Sequence, residues 1–126
     1  VMKEGSDICL MACGLMIPRA LEAAAELEKE GSSVAVVNMH TIKPIDKDIV
    51  LKMNESCKAI VTVEEHSVIG GLGSAVAEVL AGHNGAKFAM VGIEDKFGKS
   101  GKPDQLFEAY GLTAANVAAK AKELLK

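Results

Sequence analysis

The chain has 126 residues, and residues 1–126 read as one domain with one core. Apolar residues make up 49% of it, but aromatics are only 3% and Trp is absent, so the core must be aliphatic and alanine-rich. A net charge of −3 offers no basic footprint for nucleic acid, and no apolar run approaches the ~20 residues that span a bilayer.

Val1 to Gly5 opens without an initiator methionine and reads as the tail of an earlier strand in a longer polypeptide. Nothing there has the form of a signal peptide, which points to the cytoplasm. Asp7 to Cys13, DICLMAC, is a buried strand that Gly14 breaks. Pro18 suits the first turn of a helix, where its missing N–H costs nothing. Ile17, Ala20, Leu21, Ala24 and Leu27 form the buried stripe of that helix, and Arg19, Glu22, Glu26 and Lys29 its wet face. Gly31 closes it at C′.

Val34 to His40, VAVVNMH, is a second strand, and His40 at its end reads as a hydrogen-bonded structural residue. Pro44 ends the extended segment. Asp46 is the expected N-cap of a helix that buries Ile49, Val50 and Met53. The third strand is placed at 59–65, and its run from Ala59 to Val63 is apolar enough to be buried on both faces. It runs into Glu64, Glu65 and His66, then a short loop over 67–71. Leu72, Ala75, Val76, Val79 and Leu80 share one helical face, and that helix extends to about His83, closed by Asn84-Gly85. Lys87 to Ile93 is the fourth strand. A polar connection over 94–102 leads to a short helix begun by Pro103, with Leu106, Phe107 and Tyr110, stopped by Gly111. Thr113 caps a last helix whose buried stripe is Val117, Ala121, Leu124 and Leu125.

Strands alternating with helices of this length imply an α/β fold, a three-layer Rossmann-like open sheet that is mostly parallel. Right-handed crossovers favour the order second, first, third, fourth, with the switch point between the first and third strands. The N-terminal stub is placed as a possible antiparallel edge strand beside the second.

The turn after the third strand admits three readings. Gly70, Gly71 and Gly73 could cradle a phosphate at a helix N-terminus, but the stretch is not GxGxxG and two carboxylates stand at its door. Glu64, Glu65 and His66 could be acid/base catalysts, but adjacent strand residues point different ways. The favoured reading is structural. The glycines permit a tight turn, with φ > 0, and close helix–sheet packing, while the charged tip meets a neighbouring domain. The three cysteines, Cys9, Cys13 and Cys57, form no CxxC pair and have no histidine partners for zinc. They read as buried free thiols of a reducing cytosol, with a redox or metal role a distant second.

Three blocks carry a family resemblance: VNMHTIKPID at 37–46, VEEHSVIGGLGS at 63–74 and GKSGKPDQLFEAYG at 98–111. In this order they resemble the C-terminal domain of transketolases, above all the short C-terminal sections of split transketolases. The β subunits of 2-oxo acid dehydrogenases and deoxyxylulose-phosphate synthases share the domain. SGKP at 100–103, YGLT and the histidine after the acidic pair look more like transketolase.

The resemblance implies an enzyme of the pentose phosphate pathway that moves a two-carbon ketol unit between sugar phosphates. It implies thiamine diphosphate and Mg²⁺ held by N-terminal and middle domains that this chain does not contain. No catalytic residue, cofactor ligand or metal ligand is therefore expected here. The expected role is packing and homodimer support, against the thiamine-binding domains as partners. Glu64, Glu65, His66, Gly70, Gly71 and Gly73 are the motif positions that transfer, as interdomain and structural residues. A free-standing flavodoxin-like nucleotide binder is the alternative of another class. Gly14-Leu15-Met16-Ile17 after the first strand is a poor phosphate loop and counts against it.

Overall fold

The computed structural model describes residues 2–39, 45–67, 71–93 and 114–125. The expected helix from Pro103, the connection over 94–102, the Thr113 cap, His40 and Gly70 lie outside the described residues.

Four strands form one sheet: β1 (Ile8–Ala12), β2 (Val34–Asn38), β3 (Ala59–Ser67) and β4 (Lys87–Ile93). The order is β2-β1-β3-β4, and every neighbouring pair is parallel. This is the order expected from the crossover rule. The stub meets β2 through a single antiparallel bridge, Lys3 to Val36, rather than a full strand.

Among the described residues four helices cover the sheet: α1 (Ile17–Lys29), α2 (Lys47–Ser56), α3 (Leu72–Leu80) and α4 (Ala114–Leu125). Strand residues alternate between two cores. Ile8, Leu10, Ala12, Val34, Val36, Val61 and Val63 meet α1 and α4. Cys9, Met11, Ala35, Val37 and Ile60 meet α2 and α3. The alanines Ala20, Ala23, Ala24, Ala118 and Ala121 on α1 and α4 are all buried, as a core short of aromatics requires.

Local signals act where expected. Pro18 lies in the first turn of α1. Gly31 takes φ +95 just beyond it. The Gly31 N–H donates to Glu28 O at 3.0 Å and the Ser32 N–H to Leu27 O at 3.1 Å, a Schellman motif. Asp46 caps α2 by accepting from the Ile49 N–H at 3.2 Å.

Several boundaries and faces differ from the sequence expectation. Leu21 and Leu125 are 38% and 37% exposed, and Ala23 and Ala118 join the buried stripes in their place, beside the expected Val117. α3 stops at Leu80, because Gly82, not Gly85, supplies the left-handed residue, with φ +80. β3 does not end at Glu65. It continues to Ser67 through an irregularity, since Val63 pairs with Val91 and Ser67 with Ile93. Three β3 residues thus face one β4 residue, a bulge that re-aims the strand end.

Candidate functional site: the β3–α3 turn

Ile60, Thr62 and Glu64 alternate along β3 and share the face that carries α2 and α3. That parity brings Glu64 under the first turn of α3. Its side chain is fully buried. Oε1 accepts from the Leu72 N–H at 2.8 Å and Oε2 from the Gly73 N–H at 2.7 Å. Gly71 is the N-cap of α3 and has no side chain to cap with. A carboxylate from the preceding strand does so in its place, satisfying two of the orphan donors of the helix. Its charge also opposes the positive end of the helix dipole.

This geometry fixes the chemistry of the turn. The Leu72 and Gly73 N–H groups are committed to Glu64, so they are not open to a phosphate. Both oxygens of Glu64 are engaged in turn. Glu65 and His66 follow on the strand backbone towards Ser67. Gly71 has φ −98, and Gly73 lies within α3. Neither has the positive φ expected of them. The reason for glycine at 73 is close approach: a Cβ there would strike Met90 Sδ and lie 2.7 Å from Met90 Cγ and 3.0 Å from Thr62 Oγ1. The Thr62 hydroxyl beneath it is buried without a hydrogen-bond partner among the described residues.

Across the switch point, the β1–α1 connection is a 3₁₀ turn over Gly14–Met16. Gly14 has φ 61, and Met16 is buried in the α1-side core. Cys13 is half-buried beside this turn. Among the described residues no three His, Cys, Asp or Glu side chains stand together as a metal-binding group. No helix among them is long and apolar enough to cross a membrane.

Sequence reasoning missed the direction of Glu64, although its parity with Ile60 was a usable signal. It also missed Asn54, which is buried in α2. The Asn54 amide donates to Asn84 O at 3.0 Å, and its Oδ1 accepts from the Ala86 N–H at 2.9 Å. Nothing local marks that residue, because the turn it holds lies 30 residues away.

The whole architecture has relatives. The family model described as "Transketolase, C-terminal domain" matches residues 1–117. The chain belongs to the transketolase C-terminal domain family. A solved structure described as a split-gene transketolase, inactive β4 tetramer, shares 49% identity with a TM-score of 0.93, covering 99% of this chain and 41% of that one. A 6-deoxy-6-sulfo-D-fructose transketolase subunit of Clostridium sp. is 43% identical over 98% of this chain and 38% of its own length. A 1-deoxy-D-xylulose-5-phosphate synthase of Heliobacterium modesticaldum is 44% identical over 98% of this chain and 19% of its own length. The chain therefore spans at most about two fifths of these relatives.

Proposed function

We propose that the chain is the C-terminal packing and assembly module of a transketolase-type enzyme, which moves a two-carbon ketol unit between sugar phosphates, and that it is not catalytic alone. The observation that carries this reading is the family match over residues 1–117. The relative described as an inactive β4 tetramer supports it: this chain resembles 41% of a chain whose tetramer is described as inactive. Relatives named for different substrates and products are 43% and 44% identical to this chain. Such even likeness supports placing the choice of sugar in other sections.

In this reading thiamine diphosphate and Mg²⁺ belong to partner sections of a cytoplasmic enzyme of the pentose phosphate pathway. The described residues do not fit that cofactor. The buried carboxylate at the switch point has both oxygens engaged by backbone N–H groups, so no step is routed through the cofactor here. Glu64, Gly71 and Gly73 serve the fold. Glu65 and His66, next along β3 at the carboxyl end of the sheet, meet the partner section, as does Gly70. That edge is where α/β domains make their contacts. Homodimer support is the further role.

The synthase likeness favours one second reading, the C-terminal domain of a deoxyxylulose-phosphate synthase. Reconstitution separates the two. The chain is mixed with a polypeptide that carries the N-terminal and middle domains of a transketolase and, in parallel, with the corresponding polypeptide of a synthase. Ketol transfer from xylulose 5-phosphate and formation of 1-deoxyxylulose 5-phosphate are then assayed side by side. The first activity, in the mixture and in neither part alone, is the expected result. Ketol transfer by the chain alone defeats the proposal, and the second activity transfers it to the synthase reading.

A further inference from the structure

Cys9 and Cys57 are 48 positions apart in the chain, 57 less 9, and no motif links them. The fold joins them. Cys9 is the second residue of β1, fully buried on the α2–α3 face. Cys57 ends α2: its N–H donates to Met53 O at 2.9 Å, and its backbone then turns extended, with φ −115 and ψ 155. That turn sends the thiol into the same apolar cluster as Cys9, with Met53 and Ile60.

The surroundings fix the position independently. Cys57 Sγ lies 3.6 Å from Gly5 O. Gly5 is pressed onto the backbone of Val34 and Ala35 so closely that a Cβ would lie 2.6 Å from Val34 O. Ala35 is the β2 partner of Cys9. Stub, β1 and the α2–β3 joint therefore converge at one point near the amino end of the sheet, and the two thiols lie there in one buried apolar cluster.

We propose that Cys9 and Cys57 form an oxidisable dithiol, closed to a disulfide by a hydroperoxide. The two positions divide the work. Cys57 keeps 6% of its surface and Cys9 none, so a water-sized oxidant reaches Cys57 first. Donation from the Cys9 thiol pulls the Cys57 thiol down to about 7, against the effect of burial, and Ser56 adds to the lowering. The same contact, with burial, holds the Cys9 thiol well above its ordinary range. Cys57 is thus the nucleophile and Cys9 the resolving thiol. The Cys57 thiolate attacks the outer peroxide oxygen, the O–O bond breaks, and the departing alkoxide or hydroxide takes a proton. The Cys9 sulfur then displaces hydroxide from the resulting sulfenic acid. The S–S bond forms, and hydroxide leaves as water with the Cys9 proton. Two thiols are oxidised, and one hydroperoxide is reduced to an alcohol and water, or to two waters from hydrogen peroxide.

The test treats the folded chain with a small excess of hydrogen peroxide. Remaining thiols are then alkylated in denaturant and the peptides mapped by mass spectrometry. The expected result is a monomer lighter by two hydrogens, with a peptide linked through Cys9 and Cys57 and only Cys13 alkylated. Dithiothreitol restores three alkylated thiols. Cys13→Ser forms the same link, and Cys9→Ser stops at a Cys57 sulfenic acid that dimedone traps. Three alkylated thiols in the parent, a bond through Cys13, or a sulfenic acid that persists on Cys57 while Cys9 is present overturns the proposal. Parent and Cys13→Ser decide the matter even if Cys9→Ser fails to fold.

Discussion

Gly73 donates its backbone N–H to Oε2 of Glu64 at 2.7 Å, and both residues are buried. With the Leu72 bond, this makes the end of the central strand the cap of the helix that follows it. Replacing Glu64 by Ala orphans two buried donors, at roughly 1–3 kcal/mol each. Glu64→Gln keeps the shape but can accept only one of the two bonds and should cost about half as much. Urea midpoints of the three proteins check this. Equal midpoints for Gln and Ala would show that shape, not the paired acceptor, is what matters.

Gly73→Ala places a methyl group against Met90 and Thr62. Overpacking of this kind costs about 1–3 kcal/mol, against a helix-propensity gain of roughly 1 kcal/mol. Met90 is a flexible side chain and 38% exposed. Trimming it in Gly73→Ala/Met90→Ala should therefore recover part of the loss. A double-mutant cycle in urea reads the coupling directly, and strictly additive losses would rule out the contact.

Asn54→Ala removes the acceptor of the Ala86 N–H and the donor to Asn84 O. The expected loss is about 1–3 kcal/mol, that of an unpaired buried group. It should appear locally as well. Amide hydrogen exchange at Ala86 should speed up more than exchange in β1, and uniform acceleration would instead indicate global destabilisation alone.

Asp7 supplies a pH dependence. Its Oδ2 accepts from the Ser33 N–H at 2.8 Å, and Lys58 Nζ lies 3.5 Å from Oδ1. The Ser33 bond is the main cause holding its carboxyl below the ordinary value of 3.8. Lys58 adds to this, and desolvation partly opposes it. A group whose folded pKa is lowered stabilises the fold above its ordinary value, and that stability is lost as pH falls through the folded value. Asp7→Asn should therefore melt below the parent at pH 7, and the gap should close below about pH 3.8. Thermal melts from pH 7 to 2.5 test the sign, and a gap that widens in acid would contradict it.

The sequence by itself determined the elements and their order. Four apolar runs separated by amphipathic stretches read as alternating strands and helices, and right-handed crossovers then favour β2-β1-β3-β4 among a few orders, the one the sheet adopts. Local chemistry also placed Pro18, Gly31 and Asp46, because each acts on backbone within a few residues of itself. What only the tertiary structure decided involves groups far apart in the chain. Glu64 turns inward because α3 returns over the end of β3 with two N–H groups unpaired. Gly73 is small because β4 brings Met90 against it, not because its φ is positive. Leu21 stays outside while Ala23 goes in, since the face of α1 that meets the core runs through Ala20, Ala23, Ala24 and Leu27. Cys9 meets Cys57 because α2 lies back across β1. Sequence periodicity records which residues avoid water, whereas contacts between distant residues are set by how the layers close on one another.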